Sequence, residues 1–333
     1  MSTLNKLNQI LIKLLTLGLA GLPLVMWNGM YEIPKVFLFL VIGIISIFFI
    51  LINFSKLVFN KVDKYYLLWL ISLFVSGIFS GNINVSIFGG SYRHQGLVFF
   101  VCLWFITKAF SIFTIKEKKL FYKYFLVTAL IESLIVLSGN KIGTMGDANA
   151  VSGYLALSTL LLMCLGSWLN TFYILGMFFA FSKTGFLSLI PLFYKKVNSL
   201  FIFVFILLIF IYKPVNLNSY FENRLVIWNH SISLILSNPL LGYGNESNER
   251  LYDQIFGKSG FPLSNLIIDR AHNLLLDLTI WSGAVGLILF SRYLYEKYKN
   301  ISVSNKRVLL SFAIYSMFQP LSVVHWIFLA LMV

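Results

Sequence analysis

Residues 269–286 read DRAHNLLLDLTIWSGAVG. Five residues, Asp-Arg-Ala-His-Asn, stand directly before an apolar run long enough to begin a membrane crossing. A loop accounts for the polar residues alone. It does not explain why Arg270 and His272 adjoin the run, or why the longest polar stretch of the chain ends there. The background makes the cluster conspicuous, because the 333 residues are 59% hydrophobic and only 11% charged. Soluble domains carry roughly 25% charged residues.

Apolar runs recur along the whole chain, which excludes a soluble enzyme with a single anchor. Candidate helices fall at about 9–28, 35–54, 65–80, 96–113, 121–138, 150–168, 170–182, 184–194, 199–212, 272–292 and 307–319, and 321–333 reads as a short return helix. The two pieces around Ser182 are too short for two full crossings. They read as one crossing with a polar interruption, or as two short helices meeting at a polar surface. The reading is therefore an all-α, polytopic integral membrane protein of about 10–12 segments. Residues 1–333 form one membrane domain, and 213–271 a long outer loop carrying short amphipathic helices. The first run lacks a convincing small-residue cleavage site and reads as the first membrane helix, not a removed signal.

A formal charge of +14 in a soluble protein would suggest nucleic acid. Here lysines gather at 56–64, 116–123, 195–196 and 297–306, all on one side if the N-terminus is cytoplasmic and 170–194 is a short hairpin. That is the bias that orients membrane helices, and no nucleic-acid partner is expected. Lys35, Lys141 and Lys183 are exceptions to it. Arginine behaves differently: four of the six, Arg93, Arg224, Arg250 and Arg270, fall on the opposite, outer side. Topology does not need them there, whereas a planar fork that grips phosphate or carboxylate does.

The outer segment also holds Glu222, Glu246, Glu249, Asp253 and Asp269, so its charge is nearly balanced. Within it, Leu225, Ile227, Trp228, Ile232, Ile235 and Leu236 suit an amphipathic helix lying along the membrane surface. Asn238-Pro239 would stop that helix, and Gly242 and Gly244 would make a turn. Other polar features on this side are GGSYRHQG at 89–96, KIGTMGDANAVSGYL at 141–155 and FSKTG at 181–185. Each also has an ordinary reading, as a turn, a helix cap or a hairpin tip. Cys102 and Cys164 lie inside apolar runs, and no HExxH, carboxylate cluster, phosphate loop or GxSxG elbow occurs. The residues suggest arginines for anionic oxygens and a histidine base. That combination suits transfer from a membrane-bound phosphate or diphosphate donor to a hydroxyl. Transport of an anionic lipid stays open on this ground.

Taken in order, GSYRHQG, GTMGDANAVSGYLAL, FSKTG, ENRLVIWNHSISLILSNPLLGYG and DRAHNLLLDLTIWSGAVGL resemble the O-antigen ligase and O-antigen polymerase-like superfamily of bacterial envelope proteins, over about residues 80–295. The resemblance implies an inverting, metal-independent glycosyltransferase without a cofactor. Such an enzyme sits in the cytoplasmic membrane with its active site on the extracytoplasmic face. It takes a glycan from an undecaprenyl-diphosphate carrier and gives it to a glycan or to lipid A-core. A chain-length regulator is a partner consistent with that role. Carried onto this chain, the resemblance makes His272 the residue that helps activate the acceptor hydroxyl and Arg224 the diphosphate ligand. Arg93, Lys183, Arg270, Glu222 and Asp269 join as substrate-binding or orienting residues. One departure stands out: Ser182-Lys183 occurs where relatives carry Ser-Arg, which keeps the charge but loses the fork. The competing non-enzymatic reading is a lipid-linked oligosaccharide flippase or polysaccharide transporter, with charges lining a midplane path. A structural scaffold would account for the helices but not for the outer arginines.

Overall fold

A computed structural model describes residues 3–163, 174–177, 180, 182–193, 217–257 and 268–332. The chain is an all-α, multi-pass membrane protein, and no β-sheet occurs among the described residues. Helices α1 (Thr3–Gly21), α2 (Glu32–Ile52), α3 (Lys61–Phe79), α4 (Ile83–Phe88), α5 (Leu97–Ile112), α6 (Ile115–Leu137) and α7 (Ala148–Met163) lead to a short α8 (Lys183–Leu187). After these come α9 (Leu217–Ser237), α10 (Asn248–Phe256), α11 (Leu274–Asn300), α12 (Val303–Ser316) and α13 (Val323–Leu331). Five helices among the described residues are long and apolar enough to cross a bilayer: α1 with the turn after it, α2, α3, α6 and α11. The apolar α5 and α7 are shorter. The segments expected at 170–182 and 199–212 lie largely or wholly outside the described residues.

Successive helices run between two chemically distinct ends. At one end, Lys108 Nζ donates to Asp63 Oδ2 at 2.8 Å and to Val58 O at 2.5 Å, and Trp104 Nε1 reaches Asp63 Oδ1 at 3.2 Å. Asn53 Nδ2 there donates to Asn8 Oδ1 at 2.7 Å. Capping boxes at Asn60 and Thr114 start α3 and α6 at this lysine-rich end. At the other end, Thr144 Oγ1 donates to Pro23 O at 2.8 Å, Gln95 Nε2 to Leu321 O at 3.0 Å, and Arg250 to Ser80 O at 3.0 Å. Arg93, Arg224, Arg250 and Arg270 all belong to this second end. The sorting of lysine from arginine seen in the sequence is thus a sorting between the ends of the bundle. Lys35 has a separate explanation. It is fully buried, and its three protons go to Val25 O (2.7 Å), Tyr31 O (3.0 Å) and Thr144 O (2.7 Å), so it ties three loops together.

The core is aromatic: Trp69, Phe100, Trp281, Phe290 and Trp326 meet edge-on or tilted around the packing of α3, α5, α11 and α13. Helix α13 is apolar but for the buried His325 and is buried throughout, as a helix enclosed by others must be. It takes the place of the short return helix expected at 321–333.

Inside α11 the helix breaks at Ser282 and Gly283, where Gly283 has φ 62° and ψ −167°. Residues 239–244 fill the break. Tyr243 N donates to Ile280 O at 2.7 Å, Gly244 N to Trp281 O at 3.0 Å, and Ala284 N to Pro239 O at 2.8 Å. Irregular backbone at membrane depth is tolerated when protein satisfies it in this way. A Cβ on Gly283 would lie 2.1 Å from Leu240 O, so the close approach requires glycine.

Helix α9 ends before Asn238-Pro239, and Gly242 and Gly244 take positive φ in the turn that follows, as expected. Its apolar residues do not form one face. Ile227 packs inward beside Arg224 and Ser231, whereas Leu225, Ile232 and Leu236 form an exposed stripe on the far side. The wide apolar arc divides between protein and exterior because α9 rests on α11 instead of standing clear of the bundle.

Candidate functional site

The loop GGSYRHQG is pinched shut at its base. A Cβ on Gly96 would lie 2.4 Å from Gly89 N, and Gly89 has φ 98°. Gly90 N donates to Glu246 Oε2 at 2.6 Å, tying the loop to the turn after α9. Arg93 projects from it with Nε paired to the carboxylate of Asp269 and its guanidinium over the Tyr92 ring at 5.5 Å. Neither terminal nitrogen of Arg93 has a hydrogen-bond partner among the described residues. One edge of the fork is therefore fixed and the other is open. Burial opposes charge on Asp269, but Arg93 and Arg270 outweigh it and hold the carboxyl below its ordinary range.

The DRAHN turn is fixed residue by residue. Arg270 pairs with buried Glu246, has Gln95 Oε1 at 3.5 Å, and lies 4.6 Å over the Trp281 ring. Ala271 N donates to Asp277 Oδ1 at 2.8 Å, and Trp228 Nε1 donates to Ala271 O at 2.8 Å. Asn273 caps α11 by accepting from Leu275 N (3.0 Å) and Leu276 N (3.3 Å). Between these anchors His272 takes φ 56°, the left-handed region that residues other than glycine uncommonly adopt. Strain of this kind is of order 1–3 kcal/mol and persists only where its surroundings impose it. The imidazole forms no hydrogen bond among the described residues, and its Nδ1 is shut off from solvent. Burial, and then the charge of Arg224, push its pKa down to about 4, so the ring is neutral near pH 7.

These groups surround a cavity of about 130 Å³ lined in part by Glu32, Tyr92, Arg93, Asp147, Asn149, His272, Tyr315 and Gln319. Arg224 does not line it; it is buried, donates to Phe318 O and acts on His272 through its charge. Ser182 Oγ donates to Asn149 Oδ1 at 2.8 Å, which brings the start of α8 to the cavity wall. The structure thus gathers His272, Arg93, Asp269 and Arg224, with Lys183 next in chain to Ser182. Arg224, Asp269 and Arg270 stand outside the lining itself, Asp269 paired with Arg93 and Arg270 with Glu246. The side chains of Lys183 and Glu222 lie outside the described residues.

Sequence reasoning missed Glu32 and Tyr315, and read Asp147 and Asn149 only as features of a capping turn. Asp147 does cap, accepting from Ala150 N at 2.8 Å, and it lines the cavity as well. A signal for Glu32 was present: YEIPK precedes the second apolar run on the arginine side of the chain. Among the described residues, no three or more His, Cys, Asp or Glu side chains gather as metal ligands.

Chemically, an open guanidinium edge beside a neutral imidazole can hold an anionic leaving group while the ring accepts a proton. No protein-family model matches the chain, and no curated protein matches it.

Proposed function

We propose that the protein is a membrane glycosyltransferase of the O-antigen ligase or polymerase type. It transfers a glycan from an undecaprenyl-diphosphate donor to a hydroxyl acceptor, at the extracytoplasmic end of a bacterial inner-membrane bundle. The observation that carries the reading is the open edge of Arg93 facing the same polar cavity as an unbonded, neutral His272. The acceptor oxygen attacks the anomeric carbon, and the bond from that carbon to the phosphate oxygen breaks with inversion. The electron pair leaves on the diphosphate, and the hydroxyl proton passes to His272. Arg93 and Arg224 neutralise the departing charge, joined by Lys183, while Asp269 aims Arg93 and Arg270 holds the turn. A bound diphosphate also opposes Arg224 electrostatically. It raises the affinity of the imidazole for a proton at the moment the proton is released.

A flippase or transporter is less well supported. The buried ion pairs Lys108–Asp63, Arg93–Asp269 and Arg270–Glu246 lie toward the two ends of the bundle, whereas a transport path places charge at midplane. The test is purified protein with synthetic undecaprenyl-diphosphate repeat units, with and without lipid A-core. Chain extension alone indicates a polymerase, and transfer to the core a ligase. Full transfer by His272→Ala and Arg93→Ala variants would overturn the mechanism.

A further inference from the structure

The cavity has a second wall that the transfer chemistry does not use. Glu32 opens α2, is buried at 7% exposure, and lines the cavity. Its one hydrogen bond among the described residues is a long one, accepted by Oε2 from Val323 N at 3.3 Å. Asp147 commits Oδ1 to Ala150 N, and no described group bonds its other carboxylate oxygen. Asn149 accepts through Oδ1 from Ser182 Oγ and, at 3.4 Å, from Thr184 Oγ1, leaving its amide protons without a described acceptor. The phenol of Tyr315 is fixed by its bond to Asn149 O at 3.1 Å, with its ring stacked on His325 at 4.5 Å.

We propose that Glu32, Asp147 and Asn149 form a sugar-hydroxyl subsite facing Arg93, which seats the acceptor glycan. The proposal rests on the reading of this cavity as a glycosyl-transfer site. Two carboxylates supply acceptors for hydroxyl protons, and the Asn149 amide supplies donors for hydroxyl oxygens, as a ring bearing neighbouring hydroxyls requires. The same carboxylates repel a carboxylate or phosphate on the acceptor. The cavity is therefore divided by charge: an anion-holding side at Arg93, Arg224 and His272, and a side for neutral hydroxyls at Glu32 and Asp147. A site built to bond hydroxyls discriminates strongly against an analogue lacking one, because its own buried groups are left unpaired. The subsite's residues and their anchors come from α2, the loop before α7, the first turn of α7, the start of α8 and the start of α13, and none comes from the DRAHN turn.

The test uses the full chain in detergent, with two probes observed by saturation-transfer NMR and competition: maltotriose as a neutral saccharide, and inorganic pyrophosphate. Glu32→Gln and Asp147→Asn are expected to weaken maltotriose binding at least several-fold and to leave pyrophosphate binding within twofold. Arg93→Gln is expected to do the reverse. In the transfer assay, Glu32→Gln raises the acceptor KM and leaves the donor KM unchanged. Unaltered maltotriose binding in both carboxylate variants overturns the subsite, as does absence of binding by the unmodified protein. Saccharide binding that depends on Glu32 in a protein with no transferase activity would retain the subsite and reject the glycosyl-transfer reading.

Discussion

Replacing Glu246 with Ala tests how the DRAHN turn is held. The carboxylate of Glu246 has two partners, the Arg270 guanidinium through Oε1 and Gly90 N through Oε2 at 2.6 Å. The Glu246 and Arg270 side chains are 2% and 4% exposed, so neither regains water when the other is removed. Stranding one member of a buried pair costs about 3–5 kcal/mol. A buried backbone N–H left without an acceptor adds about 1–3 kcal/mol. Arg270 keeps some compensation from Gln95 and from the face of Trp281, which places the expected loss near the lower part of the combined range. Arg270→Met strands the carboxylate but leaves it the Gly90 N–H. The double variant Glu246→Ala, Arg270→Met removes both charges and is expected to be far more stable than the sum of the single losses. Thermal unfolding in detergent of the four proteins in the cycle gives the coupling. Losses that add to within about 0.5 kcal/mol would refute the view that the pair acts as one latch.

Other outcomes follow from the same geometry. His272→Ala abolishes most transfer while pyrophosphate binding at Arg93 persists, measured on purified protein with lipid-linked donor. The folded-state pKa of His272 lies near 4, below the ordinary 6.5. Its stabilising effect is therefore complete above about pH 6.5 and declines as pH falls toward 4. For the same reason the acid limb of kcat/KM lies well below pH 6.5, that of kcat lies higher because the donor is bound, and Arg224→Gln moves the kcat/KM limb upward. A limb fixed at pH 6.5 in all proteins would contradict this. Gly283→Ala forces a Cβ against Leu240 O at a positive φ, and is expected to lower the melting temperature more than Gly21→Ala, where a Cβ meets open space. Lys183→Arg restores a bidentate fork and lowers the donor KM several-fold without changing the acceptor KM.

The helices were legible because lipid demands long apolar runs: 96–113 was expected where Leu97–Ile112 is found, and 35–54 where Glu32–Ile52 is found. The separation of lysine from arginine was legible for a similar reason, since each charge must sit at a helix end. Arg93 and His272 could be singled out because polar residues at the mouth of an apolar run are costly without a purpose. The pairing of Arg270 with Glu246 was not legible. Glu246 lies 24 residues upstream, and no local pattern distinguishes a latch from a ligand. The break at Ser282–Gly283 was hidden as well, because a glycine inside an apolar run reads as ordinary helix until the 239–244 backbone is seen beside it. Glu32 escaped attention because a single acidic residue at a helix start is an unremarkable dipole partner.

That break also constrains the order in which the protein can be assembled. Residues 239–244 leave the ribosome before 274–300, so the plug exists before the gap that it fills. Once α11 breaks at Ser282–Gly283, the carbonyl of Ile280 and the amide of Ala284 find their partners in this earlier segment, and the carbonyl of Trp281 finds them there and in Ser76. Until the two meet, the helix either stays continuous, with Gly283 wound as an ordinary turn, or leaves polar backbone in hydrocarbon. Docking of the plug is thus the step that converts a simple membrane span into a bent one.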